Sequence, residues 1–277
     1  DYPESAFAPE AASSLQYALL ASGDPDRAEQ VIEDFARENP GSPMVDELRF
    51  RRAEATYQSG EVNRALQLFQ RFIRTSSNDA LLPEAYFYVG EIYANREEPN
   101  EARTYLQQLV DNYPNSSRRP EAALRLGDLS LEQNNPQSAL DAYRVVAEDE
   151  DVNPELRAQA LYGQSVALQD LGRRDEAEAL LQRLIDANRG GPLLASARLG
   201  LGRLYATDGR TAQAEDLLRR VAENSDSETG AEALVRLGML LQEQGQPREA
   251  IRELDRVSSL FPGYPEWVAR SLLEQAA

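Results

Sequence analysis

Residues 83–117 read PEAYFYVGEIYANREEPNEARTYLQQLVDNYPNSS, and how that stretch divides decides the fold. Pro83 suits a helix start, where its missing N–H goes unneeded. Apolar residues then recur at helical spacing toward Tyr93. After a turn, Ala102, Leu106 and Leu109 stand at i, i+4 and i+7, on one face of a second helix. The stretch therefore predicts two amphipathic helices, each with an apolar stripe to bury.

The same design recurs along the chain. A turn leading into an alanine appears as SGDPDRA, SGEVNRA, REEPNEA, NNPQSA, LGRRDEA, DGRTAQA and QGQPREA. The alanines are Ala28, Ala65, Ala102, Ala139, Ala177, Ala214 and Ala250, separated by 37, 37, 37, 38, 37 and 36 residues. Chance does not produce seven copies at so constant a period. Five residues before the alanine stand Gly23, Gly60, Gly172, Gly209 and Gly245, glycine being able to end a helix at positive φ. Copies three and four have Glu97 and Asn134 there instead.

Twelve residues before the alanine the first helix carries Gly90, Gly127, Gly202 and Gly238, with Ala53 and Ser165 in two other copies. A mid-helix glycine costs up to about 1 kcal/mol against alanine. Its recurrence points to close approach of the partner helix, with the anchoring Ala102 or Ala139 in the same contact. Thirteen before the alanine lie Leu15, Val89, Leu126, Leu201 and Leu237. Seven after it lie Phe35, Phe72, Leu109, Val146, Leu184, Val221 and Val257. These are core positions without a functional role.

Small residue, turn glycine, alanine, large apolar residue and a proline near the end of the second helix (Pro40, Pro114, Pro262) together resemble the tetratricopeptide repeat. That repeat has a period of about 34 residues, so the units here are slightly longer. The resemblance implies an all-α, right-handed superhelical solenoid of about seven helix pairs plus a C-terminal helix. Its repeats would run 9–42, 43–82, 83–119, 120–153, 154–191, 192–227 and 228–264, followed by a terminal helix at 265–277. Loops such as NPGSP and NYPNS are similar to those of bacterial envelope repeat proteins, of the outer-membrane assembly lipoprotein and Tol–Pal coordinator types. That likeness implies a periplasmic or envelope location, with the cytoplasm as the alternative.

The opening DYPESAFAPEA has the wording of NYPNSSRRPEA at 112–122 and reads as one repeat's tail running into the next repeat's first helix, with Pro3 and Pro9 matching Pro114 and Pro120. At the other end Trp267, Leu272 and Leu273 belong to a helix that is either a cap or the start of a further pair. The expectation is a single solenoid that is a segment of a longer repeat protein.

Composition narrows the chemistry. The 277 residues contain no cysteine and no histidine, and all 29 basic residues are arginine, against 47 carboxylates, for a net charge of -18. Thiol chemistry, histidine proton transfer and the usual zinc sites are removed together. So strong a negative field opposes nucleic acid. No run reaches about 18 apolar residues, so no membrane-inserting helix is expected. The acidity fits either a salt-adapted proteome or a surface evolved for a basic partner. EDEDVN at 148–153 lacks the spacing and glycine of a calcium loop. GLGRLY at 200–205 lies inside a helix rather than after a strand, so it is no phosphate loop. No catalytic residue, metal or cofactor is expected.

In the family resembled, first helices line a concave groove. Residues 15, 11 and 8 before each alanine would face it: Phe50, Glu54 and Tyr57; Phe87 and Glu91; Leu124 and Asp128; Tyr162; and Arg203. The fifteen-back residues, Ser13, Phe50, Phe87, Leu124, Tyr162, Leu199 and Val235, hold no carboxylate clamp of the chaperone-binding type. Aromatics beside carboxylates suit a protein or peptide partner with basic and apolar residues. From Arg173 to Arg220 the balance is instead +2, with nine arginines and seven carboxylates, so this stretch, with Arg203 and Arg219, would suit an acidic partner or the acidic stretch of another copy. The chain is expected to be a non-catalytic protein-interaction scaffold. The alternatives are a module of a larger regulator or enzyme, or a structural spacer with no specific ligand.

Overall fold

The computed structural model describes residues 25–39, 42–187 and 193–276, with Ser14 and Gly191 besides. The expectations for Pro3, Pro9, Ser13, Leu15, Gly23 and Pro40 lie outside the described residues. Fourteen helices, and no strand, are formed among those described. They are α1 (Pro25–Glu38), α2 (Pro43–Gln58), α3 (Val62–Thr75), α4 (Leu82–Asn95), α5 (Pro99–Asn112), α6 (Arg119–Glu132), α7 (Pro136–Ala147), α8 (Pro154–Asp170), α9 (Arg174–Ala187), α10 (Leu194–Thr207), α11 (Thr211–Asn224), α12 (Glu228–Glu243), α13 (Pro247–Leu260) and α14 (Pro265–Gln275). The chain forms two compact units that divide within α6, between Leu129 and Ser130.

Prolines open many of the helices, as at Pro43, Pro99, Pro136, Pro154, Pro247 and Pro265. Ser42 and Asn153 add side-chain caps, accepting from the backbone N–H of Met44 at 3.3 Å and Glu155 at 2.8 Å. The turns within pairs share one geometry. Gly60, Gly172, Gly209 and Gly245 have φ between 73° and 84°. The following residue donates back to a carbonyl five residues earlier, as Arg173 does to Leu168 at 2.8 Å. This is the Schellman ending that left-handed backbone permits. Glu97 and Asn134 adopt the same conformation, at φ 60° and 54°, without glycine's freedom. The turn is therefore set by packing of the two helices, and glycine only makes it cheaper.

In the first unit the core is aromatic: Phe50, Phe69 and Phe72 pack with Leu82, Val89 and Ile92. In the second, Tyr143, Leu181, Leu184, Leu201, Leu218, Leu237 and Leu254 are buried. The described core positions named from the period, from Phe35 to Val257, are all buried. Close approach at the small residues comes from a different atom than the sequence suggests. A Cβ on Gly90 would stand 2.6 Å from Leu106, and one on Gly238 2.5 Å from Leu254. Each leucine lies four residues after its anchoring alanine, so that side chain, one turn further on, fills the notch.

A second joint links one pair to the next. The residue four after an alanine also meets the residue fourteen before the following alanine. Tyr88 stacks on Phe69, with centroids 4.7 Å apart and planes 8° from parallel. At the corresponding joint in the second unit, a Cβ on Gly163 would stand 2.5 Å from the Tyr143 ring. α14 packs against α12 and α13, and its Trp267 Nε1 donates to Glu228 at 3.0 Å. Leu272 and Leu273 on it remain exposed, at 55% and 71%.

Candidate partner-binding face of the first helices

In the first unit, α2, α4 and α6 carry the expected groove residues. Phe50 differs from expectation: it is only 7% exposed, with its ring edge-on to Phe69 and Phe72, both at 5.7 Å. Its neighbours Tyr88 and Phe69 close over it, so it supports the face rather than presenting surface. Glu54, Tyr57, Phe87, Glu91, Leu124 and Asp128 are all partly exposed. Glu54 accepts from the Tyr88 hydroxyl at 2.9 Å, and Tyr57 meets the Tyr88 ring edge-on at 5.3 Å. Tyr88 itself escaped the sequence reading. The signal was present nonetheless: a tyrosine nineteen residues after Phe69, at the joint between pairs.

Most carboxylates on this face are already matched by the protein's own arginines. Arg118, in the loop before α6, donates to Glu84 at 2.7 Å and Glu121 at 2.5 Å, and its guanidinium lies 5.1 Å from the Phe87 ring centre. A cation over a ring contributes about 0.5–1 kcal/mol where solvent is near. Arg125 Nε stands 3.2 Å from Glu91. Glu47 pairs with Arg51 one turn along α2. The local field is thus milder than the count of acidic residues suggests. Burial, and then the bond to Glu54, pushes the Tyr88 phenol up to about 12, so it stays protonated and donating at neutral pH.

In the second unit Tyr162 and Arg203 lie on α8 and α10. Burial pushes the Tyr162 phenol up, and its ring passes close to Gly200. Arg203 is exposed, 3.8 Å from Glu232, a carboxylate that also accepts from Arg236 at 2.5 Å. With Arg174, Gln169, Met239 and Glu243 these arginines line a cleft of about 390 Å³. Arg219 is engaged elsewhere, donating to Glu253 at 2.9 Å, a residue only 7% exposed, and to Glu215 at 3.0 Å. Reversing its charge would therefore disturb these internal pairs as well as any contact with a partner.

No group of carboxylates able to hold a metal ion occurs among the described residues. The acidic loop before α8 is bound up with its own backbone: Asp149 accepts from the Asp151 N–H at 3.0 Å, and Asn153 caps the helix. No described helix is long and apolar enough to cross a membrane.

Residues 156–229 and 232–264 match models described as tetratricopeptide repeat, and residues 1–132 match a family described as outer membrane lipoprotein. No curated protein matches the chain. Among solved structures, a tetratricopeptide repeat protein from Parabacteroides merdae is 18% identical, with a TM-score of 0.55 over 95% of this chain and 98% of its own. PilW, a widely conserved type IV pilus biogenesis factor, is 17% identical, with a TM-score of 0.60 over 80% of this chain and 96% of its own. Pseudomonas aeruginosa pilF is 14% identical, with a TM-score of 0.57 over 81% and 95%. Such identities speak to the fold alone. The chain therefore matches tetratricopeptide-repeat models over residues 156–229 and 232–264 and has the fold of tetratricopeptide-repeat proteins along most of its length.

Proposed function

We propose that the chain is a non-catalytic scaffold in the bacterial cell envelope, holding a partner protein or peptide against the first-helix face, chiefly in the first unit. One observation carries this reading. Tyr57, Phe87 and Leu124 leave aromatic and aliphatic surface partly exposed beside Glu54, Glu91 and Asp128. Half-buried rings beside charge give burial and register together, which is the make-up of binding anchors. The match of residues 1–132 to the outer membrane lipoprotein family supports the envelope location. In the second unit the cleft around Arg203 offers a further contact, suited to a carboxylate on the partner.

The internal pairing of Glu84, Glu91 and Glu121 with arginine favours a second reading, a spacer whose face is already satisfied. Site-specific photocross-linking in cells separates the two. A benzophenone amino acid at Phe87 should give discrete cross-linked species, while one at Gln107, exposed on α5, should give none. A spacer gives none from either position, and that result would overturn the scaffold reading.

A further inference from the structure

The described residues build guanidinium sites from a ring and a carboxylate. Arg118 lies 5.1 Å from the Phe87 ring centre while Nε donates to Glu84 at 2.7 Å. Arg210 lies 3.7 Å from the Tyr205 ring centre while Nη1 donates to Glu178 at 2.7 Å. In both, the electron-rich ring face and the carboxylate act on one planar cation.

Glu54, Tyr57 and Tyr88 supply the same set of groups with no arginine bonded to the carboxylate, Arg118 acting on Tyr88 only through its charge. The Tyr88 hydroxyl fixes Glu54 at 2.9 Å, and the two tyrosine rings stand edge-on at 5.3 Å. Tyr88 is held in turn by stacking on Phe69. Glu84, Glu91 and Glu121 each have an arginine partner, whereas no arginine among the described residues pairs with Glu54. Tyr88 supplies a hydrogen bond but no counter-charge, since a phenol is neutral or anionic and never cationic. A carboxylate oriented by a neutral donor, with a tyrosine beside it, lacks only the cation that the other two sites contain.

We infer that Glu54, Tyr57 and Tyr88 form a receptor for an arginine side chain of the bound partner, an inference that rests on the partner-binding reading of this face. Arginine is favoured over lysine because a planar guanidinium stacks on a ring and bonds a carboxylate in one pose.

The probe is Nα-acetyl-arginine methylamide, titrated into the full 277-residue chain with isotope-labelled tyrosine and followed by NMR. The ring signals of Tyr57 and Tyr88 should shift saturably, while the neutral citrulline analogue should leave them in place. Glu54→Gln should weaken the apparent affinity about five-fold or more. Glu150→Gln, which removes one charge from the acidic loop, should leave it unchanged. Tyr57→Phe should retain binding and Tyr57→Leu should lose it, and this pair decides the matter if Glu54→Gln fails to fold. Equal response to citrulline, equal loss in Glu150→Gln, or no saturable shift overturns the receptor. If the probe fails while the Phe87 cross-link persists, the receptor is wrong and the scaffold stands. If the probe binds while the cross-link fails, the site takes a guanidinium but the scaffold reading falls, and the assignment to a partner's arginine falls with it.

Discussion

The joint between helix pairs is filled from both sides in the first unit and from one side in the second. In the first, Tyr88 of a first helix lies flat on Phe69 of the preceding second helix. In the second, the preceding helix supplies the ring, Tyr143, and the first helix retreats to Gly163. The first joint therefore holds two rings and the second only one, set against a helix with no side chain at that point. The consequence for function is large. Tyr88 keeps one side toward the first-helix face, beside Glu54 and Tyr57, whereas Tyr143 is 1% exposed and has no surface to offer. The same period and fold therefore yield one face with presented aromatics and another where the aromatic is spent on the core.

Truncating the two rings is the strongest way to break this comparison. Tyr143→Ala should cost about 3–5 kcal/mol in urea unfolding, as for other fully buried aromatics. Tyr88→Ala, at a partly exposed site, should cost about 1–2 kcal/mol. Equal costs would mean the two joints are equivalent. Next come the glycines opposite. Gly163→Ala places a methyl 2.5 Å from the Tyr143 ring and should destabilise by about 1–3 kcal/mol, with partial recovery on adding Tyr143→Leu. Gly200→Ala meets Leu181 at an ordinary 3.4 Å and should instead stabilise, by up to about 1 kcal/mol of helix propensity.

The turns sharpen the comparison further. Glu97→Gly should raise stability by about 1 kcal/mol, because a non-glycine residue at positive φ is strained. Asn134→Gly should gain less, since asparagine tolerates that conformation better. A urea midpoint unmoved by Glu97→Gly would show that the helix pair, not the turn residue, absorbs the whole strain. The smallest effect is expected from titration. The folded-state pKa of Tyr88 is raised, so its contribution to stability is complete below the ordinary tyrosine value near 10 and is lost as pH rises through about 12. Glu54→Gln should lower that pKa, and alkaline absorbance titration of the two forms reads the difference.

Within this site, one position shows how far sequence alone reaches. Phe50 and Phe87 share the position fifteen before the alanine, yet Phe50 is enclosed and Phe87 is partly open under Arg118. Nothing local separates them. Phe50 is enclosed because Phe69, Phe72 and Tyr88 are all large, and all three come from helices other than its own. The arginines that quench the acidic face were equally hidden. Glu84 and Arg118 lie 34 residues apart, and only stacking of successive pairs brings them within 2.7 Å.

By itself the sequence determined the helix pairs, their period, their turns and their buried stripes, because those follow from spacing within one or two turns of helix. Absence of histidine and cysteine likewise needed no coordinates. Which ring is presented, which carboxylate keeps its charge unpaired and which glycine is crowded were decided only by tertiary structure. Each depends on the size and charge of a residue on another helix, and that residue becomes adjacent only when the helices pack.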